Sequence, residues 1–311
     1  MAELRIGIVG YGKIAQDQHA PAIAADPHFT LAAAVTRGTA PGLAVPVYSD
    51  HHAMLAVGGL DAVAVCTPAA ARHDIARDCL DAGLHVLLEK PPGATLGEVA
   101  DLARCAATKR RTLFTTWHAQ YNAAVEQAAA IVAREGLAAL GIEWFEDVET
   151  WHPGQTWIWQ PGGFGVFDAG INALSIATRI SPSPLLLRSA RFLAGPDSQQ
   201  PIAATLELAT ADAGPFTAQF DWRPRADEHW QITLRTKAGS ALLLSQGGAR
   251  LAVNGAPAAE AAGSEYAAVY TRFAKLIEAG ESLVDVEPLR LLADAFLNAA
   301  PGDGQAAPRT P

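Results

Sequence analysis

Short apolar strands alternate with helical stretches along the first third of the chain, and few folds accommodate that alternation. The strand candidates are Leu4–Val9, Phe29–Val35, Ala62–Cys66, His85–Leu88 and Thr112–Thr115. Between them Ile14–Ala25, Ala53–Val57, Ala70–Ala82 and Leu96–Thr108 read as helices. Parallel neighbours need a crossover, usually helical, so the pattern predicts a doubly wound parallel sheet. In such a sheet the carboxyl ends of the strands form the ligand crevice. One strand stops there at Glu89-Lys90-Pro91-Pro92. Proline donates no ladder hydrogen bond, so the strand ends and an ammonium group is left at the crevice.

The pattern changes after His118. A helix, Ala123–Glu135, leads to a strand, Ala138–Val148, then a Trp-, Pro- and Gly-rich loop, Trp151–Gly165, and a helix, Val166–Thr178. Strands follow at Leu185–Leu193, Pro201–Ala209, Phe216–Trp222, Trp230–Thr236 and Ala241–Leu244, many alternating as a half-buried antiparallel sheet would. Helices at Tyr266–Ala279 and Glu287–Ala299 close the fold. With 311 residues, half of them apolar, the chain can bury two cores. The expected division is 1–118 and 119–300, with a frayed Gly/Ala/Pro-rich tail at 301–311.

The formal net charge of −9 argues against nucleic acid and anionic membrane surfaces as partners. Cys66, Cys79 and Cys105 are odd in number and lack metal spacing, which fits a reducing cytoplasm. No signal peptide or membrane span is expected, and no metal.

Gly10-Tyr11-Gly12-Lys13-Ile14-Ala15 follows the first strand and opens a helix. This is the G-x-G-x-x-A form of the dinucleotide fingerprint. Gly10 permits the tight turn, Gly12 admits the pyrophosphate, and Ala15 allows close helix–strand packing. The expected cofactor contacts are Gly10, Gly12, Lys13 and Ile14, then Cys66, Thr67 and Pro68, then Glu89 and Lys90. An NAD enzyme usually carries an acid at the end of the second strand for the ribose hydroxyls. Here Thr36-Arg37 stands there, 26 residues after Gly10. Arg37 can pair with the extra phosphate of NADP and Thr36 can donate to it. NADP is therefore expected as the preferred cofactor, with NAD as the alternative.

The string Ala82-Gly83-Leu84-His85-Val86-Leu87-Leu88-Glu89-Lys90-Pro91, with the amino-terminal fingerprint, resembles the Gfo/Idh/MocA family of sugar and cyclitol oxidoreductases over nearly the whole chain. The resemblance implies an α/β fold: an amino-terminal Rossmann domain, then an α/β domain with a large, mostly antiparallel open sheet. That sheet commonly serves as a homo-oligomer interface. The family usually places Asp and His four residues apart on the first long helix of the second domain. Here Asp168 and Asn172 occupy those positions, on one helix face. Asn in place of His removes an acid/base group often assigned to ring-hydroxyl oxidation. It points instead to the more acidic anomeric hydroxyl.

The strings Glu89–Leu96, Trp151–Gln155, Trp157–Trp159 and Phe167–Ser175 are similar to those of bacterial sugar 1-dehydrogenases acting on L-arabinose and D-galactose. These sugars share a ring hydroxyl arrangement and differ by the exocyclic hydroxymethyl group. The resemblance implies Lys90, Asp168 and Asn172 as the catalytic set, with His118, Glu146, Trp151, His152 and Trp230 around the sugar. Taken singly, each has a plain structural reading. Glu146 would be a solvated strand carboxylate, His152 a cap on the Pro-Gly turn, and His118 a core histidine; His73 orders the third βα loop. Two other functions stay open on the sequence: a different pyranose or keto-sugar oxidoreductase of the family, and a non-catalytic NADP-binding regulator.

Overall fold

The computed structural model describes residues 3–40, 42–195, 198, 200–256, 259–260 and 263–301. The chain divides into two compact units, Met1–His118 with Ser264–Val286, and Ala119–Gly263 with Glu287–Pro311.

The first unit holds six parallel strands: β1 (Leu4–Val9), β2 (Phe29–Val35), β3 (Val47–Tyr48), β4 (Ala62–Val65), β5 (His85–Leu88) and β6 (Leu113–Thr115). Their order is β3-β2-β1-β4-β5-β6. The order reverses beside β1, which is the switch point where such sheets bind ligands. β4 and most of β5 are buried and uniformly apolar, as helix cover on both faces requires. Helices α1 (Ala20–Ala25), α2 (His51–Val57), α3 (Arg72–Asp81) and α4 (Leu96–Lys109) cross between strands. A π-helical turn, Ala15–His19, precedes α1 in the stretch expected to be one helix. Thr95 starts α4 through a capping box with Glu98. β3 was not expected; its two residues carry too little pattern to show.

The second unit opens with α5 (Ala123–Glu135) and β7 (Leu137–Phe145). The strand expected to reach Val148 stops at Phe145. Asp147 instead caps a helical turn, α6 (Val148–Trp151), its carboxylate accepting from the Glu149 N–H at 2.9 Å. Then come α7 (Phe167–Ile180), β8 (Leu186–Ala194), β9 (Pro201–Ala209), β10 (Phe216–Asp221), β11 (His229–Thr236), β12 (Ala241–Ser245), β13 (Arg250–Val253) and β14 (Ala259–Glu260).

The chain next returns to the first unit with α8 (Glu265–Ala279). The sequence division had placed this segment in the second domain. Four contacts bind α8 and the turn after it to the first. Phe273 packs on Phe29 and Phe114, Tyr270 on Phe29, and the Leu283 N–H donates to the Leu113 carbonyl at 3.0 Å. Helical periodicity reveals an apolar face but not which core receives it.

α9 (Glu287–Asn298) and β15 (Ala299–Pro301) complete the second unit. Its nine strands run β14-β13-β12-β11-β7-β10-β9-β8-β15. The β7–β10 and β8–β15 pairs are parallel and the others antiparallel. α7 lies on the sheet through Gly170, where a Cβ would meet the Phe220 ring at 2.6 Å. The Phe167 ring packs beside Phe220, Phe192 and Phe296. Of the expected tail, Pro301 ends β15 and 302–311 lie outside the described residues.

Candidate functional site

The candidate residues fall in two clusters, one in each unit. In the first unit, Gly10 turns the chain after β1 with φ +91°, and a Cβ there would meet the Thr67 amide nitrogen at 2.9 Å. A Cβ on Gly12 would meet nothing within 4 Å. Gly12, Lys13 and Ile14 are exposed, and the first helical bond runs from the Gln16 N–H to the Gly12 carbonyl. The amides ahead of that bond are the ones a helix offers to phosphate. Across the turn, Thr67 Oγ1 is buried without a hydrogen-bond partner. An open glycine at a helix start, with an orphaned hydroxyl on the loop that Gly10 meets, fits a dinucleotide. Thr36 lies at the end of β2, its hydroxyl accepting from the Gly38 N–H at 3.1 Å, and Arg37 beside it is exposed.

Lys90 follows β5 and is partly exposed, and its peptide bond to Pro91 is cis. The Lys90 main-chain N–H donates to Glu89 Oε2 at 2.7 Å. Glu89 Oε1 accepts from the Tyr266 hydroxyl at 2.6 Å and meets His19 Nε2 at 3.1 Å. Glu89 was expected to contact the cofactor. Its carboxylate is only 3% exposed and is occupied by the protein's own groups, so it serves the strand end rather than a nucleotide. Burial opposes its charge, but His19, His118 and the Tyr266 hydroxyl hold its pKa well below the carboxylate range. Arg72, not singled out in the sequence, donates to the carbonyls of Thr67, Glu89 and Pro91 and so joins the loops after β4 and β5. His118 stacks on Tyr266 at 5.3 Å and pairs with Glu265 at 2.5 Å. Within its own unit, then, His118 belongs to this cluster. His73 bonds Asp74 on its own helix and Asp101 of α4, joining α3 to α4.

In the second unit, Glu146 follows β7 and is 5% exposed, not solvated. Indole N–H groups hold both its oxygens: Trp222 Nε1 donates to Oε1 and Trp230 Nε1 to Oε2, each at 2.7 Å. Trp222 is fully buried and was not expected in the site. Only its place just after β10, beside a carboxylate, could have marked it. His152 ends α6 and its ring tilts against Trp222 at 4.7 Å. Its Nε2 lies 3.6 Å from Glu146 Oε1 and its Nδ1 3.9 Å from Asp168 Oδ2. These gaps exceed hydrogen bonds, and Nδ1 is buried with no hydrogen-bond partner. Asp168 sits in the first turn of α7, 9% exposed, with Asn172 one turn on. Trp151 is exposed, meets Trp230 edge-to-face at 5.3 Å, and donates to Glu228 at 3.1 Å. The unit thus gathers acceptors and donors beside aromatic faces, as a polyhydroxylated ligand needs.

Among the described residues one group has metal-ligand character: His51, His52 and Asp78. His51 bonds Asp78 at 2.9 Å, which joins α2 to α3. Among those residues no helix is long and apolar enough to cross a membrane.

Residues 4–117 match the model of the Gfo/Idh/MocA oxidoreductase family, NAD-binding Rossmann fold. The chain is 44% identical to a galactose 1-dehydrogenase of Pseudomonas fluorescens over 297 residues, 95% of this chain and 96% of that one. It is 32% identical to a D-xylose 1-dehydrogenase (NADP(+)) of Haloferax volcanii over 145 residues, 45% of each chain. A crystal structure of D-galactose-1-dehydrogenase from Rhizobium etli superimposes with a TM-score of 0.91 at 45% identity, covering 97% of both chains. The glycine turn, the buried Glu89 behind Lys90 and these full-length likenesses agree: the chain belongs to the Gfo/Idh/MocA oxidoreductase family.

Proposed function

We propose that the protein is an NADP-preferring aldose 1-dehydrogenase that oxidises the anomeric carbon of D-galactose and L-arabinose to the lactone. The observation that carries the reading is the His152 ring set between the Glu146 and Asp168 carboxylates, with Asn172 one turn along. Each buried sugar hydroxyl requires a donor or acceptor, and this group supplies both. The full-length likeness to galactose 1-dehydrogenases supports the choice of sugar.

The dinucleotide, when bound, supplies the acceptor for the hydride leaving the anomeric carbon. Gly10, Gly12 and the helix start receive its phosphates, and Arg37 and Thr36 bind the extra phosphate of NADP. Lys90 and Asp168 handle the proton lost from the anomeric hydroxyl, one as base and the other stabilising the developing alkoxide. Asn172 orients the ring, with His152, Glu146, Trp151, Trp230 and His118 around it.

The test is cofactor reduction with NADP⁺ and a panel of aldoses. Turnover is expected with D-galactose and L-arabinose, and a loss of about 10²-fold or more in Lys90→Met and Asp168→Asn. Near wild-type turnover in both variants refutes the mechanism, and no turnover with any aldose refutes the function. Arg37→Ala is expected to lower kcat/KM for NADP⁺ by about 10- to 100-fold relative to NAD⁺. An unchanged ratio rejects the cofactor assignment. The sheet face carrying Thr205, Glu207, Thr217, Gln219 and Thr233 is exposed in the single chain. There we place a second copy, and light scattering should return a mass above the 32.5 kDa chain.

A further inference from the structure

His19, Glu89, Tyr266 and Tyr270 form a buried polar cluster with no part in the scheme above. His19 is wholly buried, and its ring nitrogens meet Tyr270 Oη at 2.8 Å and Glu89 Oε1 at 3.1 Å. Tyr266 Oη donates to that same oxygen, and both tyrosine rings lie edge-on to the imidazole. Burying four polar side chains for stability alone is a poor solution, because apolar packing of equal volume does as well or better. The arrangement has a direction. Glu89 Oε1 is taken by the cluster, and Oε2 accepts the main-chain N–H of Lys90 at 2.7 Å.

The other main-chain groups around Lys90 are fixed as well. The Glu89 N–H donates to the Val65 carbonyl at 3.1 Å, and Arg72 takes the Glu89 and Pro91 carbonyls. The Lys90 amide is therefore held from the side by a carboxylate whose own rotamer is set by His19 and Tyr266. We propose that His19, Glu89 and Tyr266 are positioning residues that fix the Lys90 main chain and so aim its ammonium at the reacting oxygen. The proposal rests on the reading that Lys90 acts on the anomeric hydroxyl. Burial works against a charged His19, yet Cys66, Tyr270 and Glu89 raise its pKa well above the ordinary histidine value. With the Tyr266 hydroxyl and the His19 ring both on Oε1, the Glu89 carboxylate keeps one orientation.

The test compares Tyr266→Phe, Glu89→Gln and Lys90→Met in steady-state kinetics with NADP⁺ and D-galactose. Tyr266→Phe deletes one hydroxyl and leaves the ring packing, so it carries the test even where Glu89→Gln fails to fold. A displacement of the order of 1 Å in a reacting group costs up to about 10²-fold. Tyr266→Phe and Glu89→Gln are expected to lower kcat by about 10-fold or more, with KM for NADP⁺ within about twofold of wild type. Two results overturn the positioning role: kcat within twofold in Tyr266→Phe, or a KM for NADP⁺ that rises in step with the fall in kcat. Lys90→Met separates the two readings. If it alone abolishes turnover, the function stands and the positioning role falls; if it keeps turnover, the catalytic reading itself has failed.

Discussion

Replacing Trp222 by Phe should show how far the proposed sugar-binding group depends on one buried indole. The substitution removes the donor to Glu146 Oε1, a 2.7 Å bond between a fully buried ring and a carboxylate that is 5% exposed. A hydrogen bond to a charged group contributes about 1.5–3 kcal/mol. The smaller ring also leaves ~40 Å³ unfilled, which at ~24 cal/mol per Å³ adds about 1 kcal/mol. The expected destabilisation is therefore about 2.5–4 kcal/mol. Trp230→Phe removes the matching bond to Oε2 from a partly exposed ring, where water can replace the donor, and should cost about 1 kcal/mol. In scanning calorimetry these values correspond to roughly 5–15 °C and 2–4 °C in the transition that includes the second unit. KM for the sugar should rise further in Trp222→Phe, because His152 also leans on that indole. A Trp222→Phe protein melting within 2 °C of wild type, or no lower than Trp230→Phe, would refute the argument that Glu146 is held from the buried side.

Stability should depend on pH through Glu89 and His19. Glu89 has a lowered folded pKa, so its contribution is full above the ordinary value near 4.5 and is lost as pH falls through the folded value. His19 has a raised one, so its contribution is full below the ordinary value near 6.5 and is lost as pH rises through the folded value. The gap in urea stability between wild type and the His19→Gln/Glu89→Gln double variant should be widest between those values and shrink on either side; a flat gap from pH 4 to 9 would contradict it. Gly12→Ala should leave the melting temperature within about 2 °C while raising KM for the dinucleotide, because only the approach to the turn is filled. Gly10→Ala, at φ +91° and against the Thr67 amide, should cost about 1–3 kcal/mol by denaturant titration; equal behaviour of the two variants would remove the reason for the pattern. Burial pushes the Cys79 thiol up to about 12, so mass spectrometry after brief alkylation at pH 8 should find Cys79 unmodified while the more accessible Cys66 reacts. Faster labelling of Cys79 would mean that its core opens.

The strands β1 and β2 lay where the apolar runs placed them, because their carboxyl halves, 6–9 and 33–35, are buried and apolar throughout. β13 escaped notice: four residues beginning at an arginine carry almost no pattern. The second unit's candidate site was legible as a list of residues because Asp168, His152 and Trp151 sit in distinctive strings. The manner of holding Glu146 was not, since Trp222 pairs with it across 76 positions and no local rule joins them. His19 carries no signal in the sequence for a similar reason. One histidine at a helix junction looks like any other until Glu89, 70 residues on, and Tyr270, 251 residues on, meet it. α8 displayed its amphipathic face plainly, yet its destination was decided by Phe29, Phe114 and Glu89.

That late return of α8 sets a timetable for the growing chain. Glu89 leaves the peptidyl-transferase centre 177 residues before Tyr266, its hydrogen-bond donor. At about 5–20 residues per second that is a delay of roughly 9–35 s, far longer than helices and hairpins need to form. Throughout it the six-stranded sheet must wait with a buried-type carboxylate and imidazole lacking their phenol partners, and with the aromatic seat of Phe273 empty. A nascent chain halted before residue 264 would thus carry the whole glycine fingerprint and still lack a finished nucleotide-binding unit. The core of the first unit is therefore completed near the end of synthesis, after most of the second unit has been made.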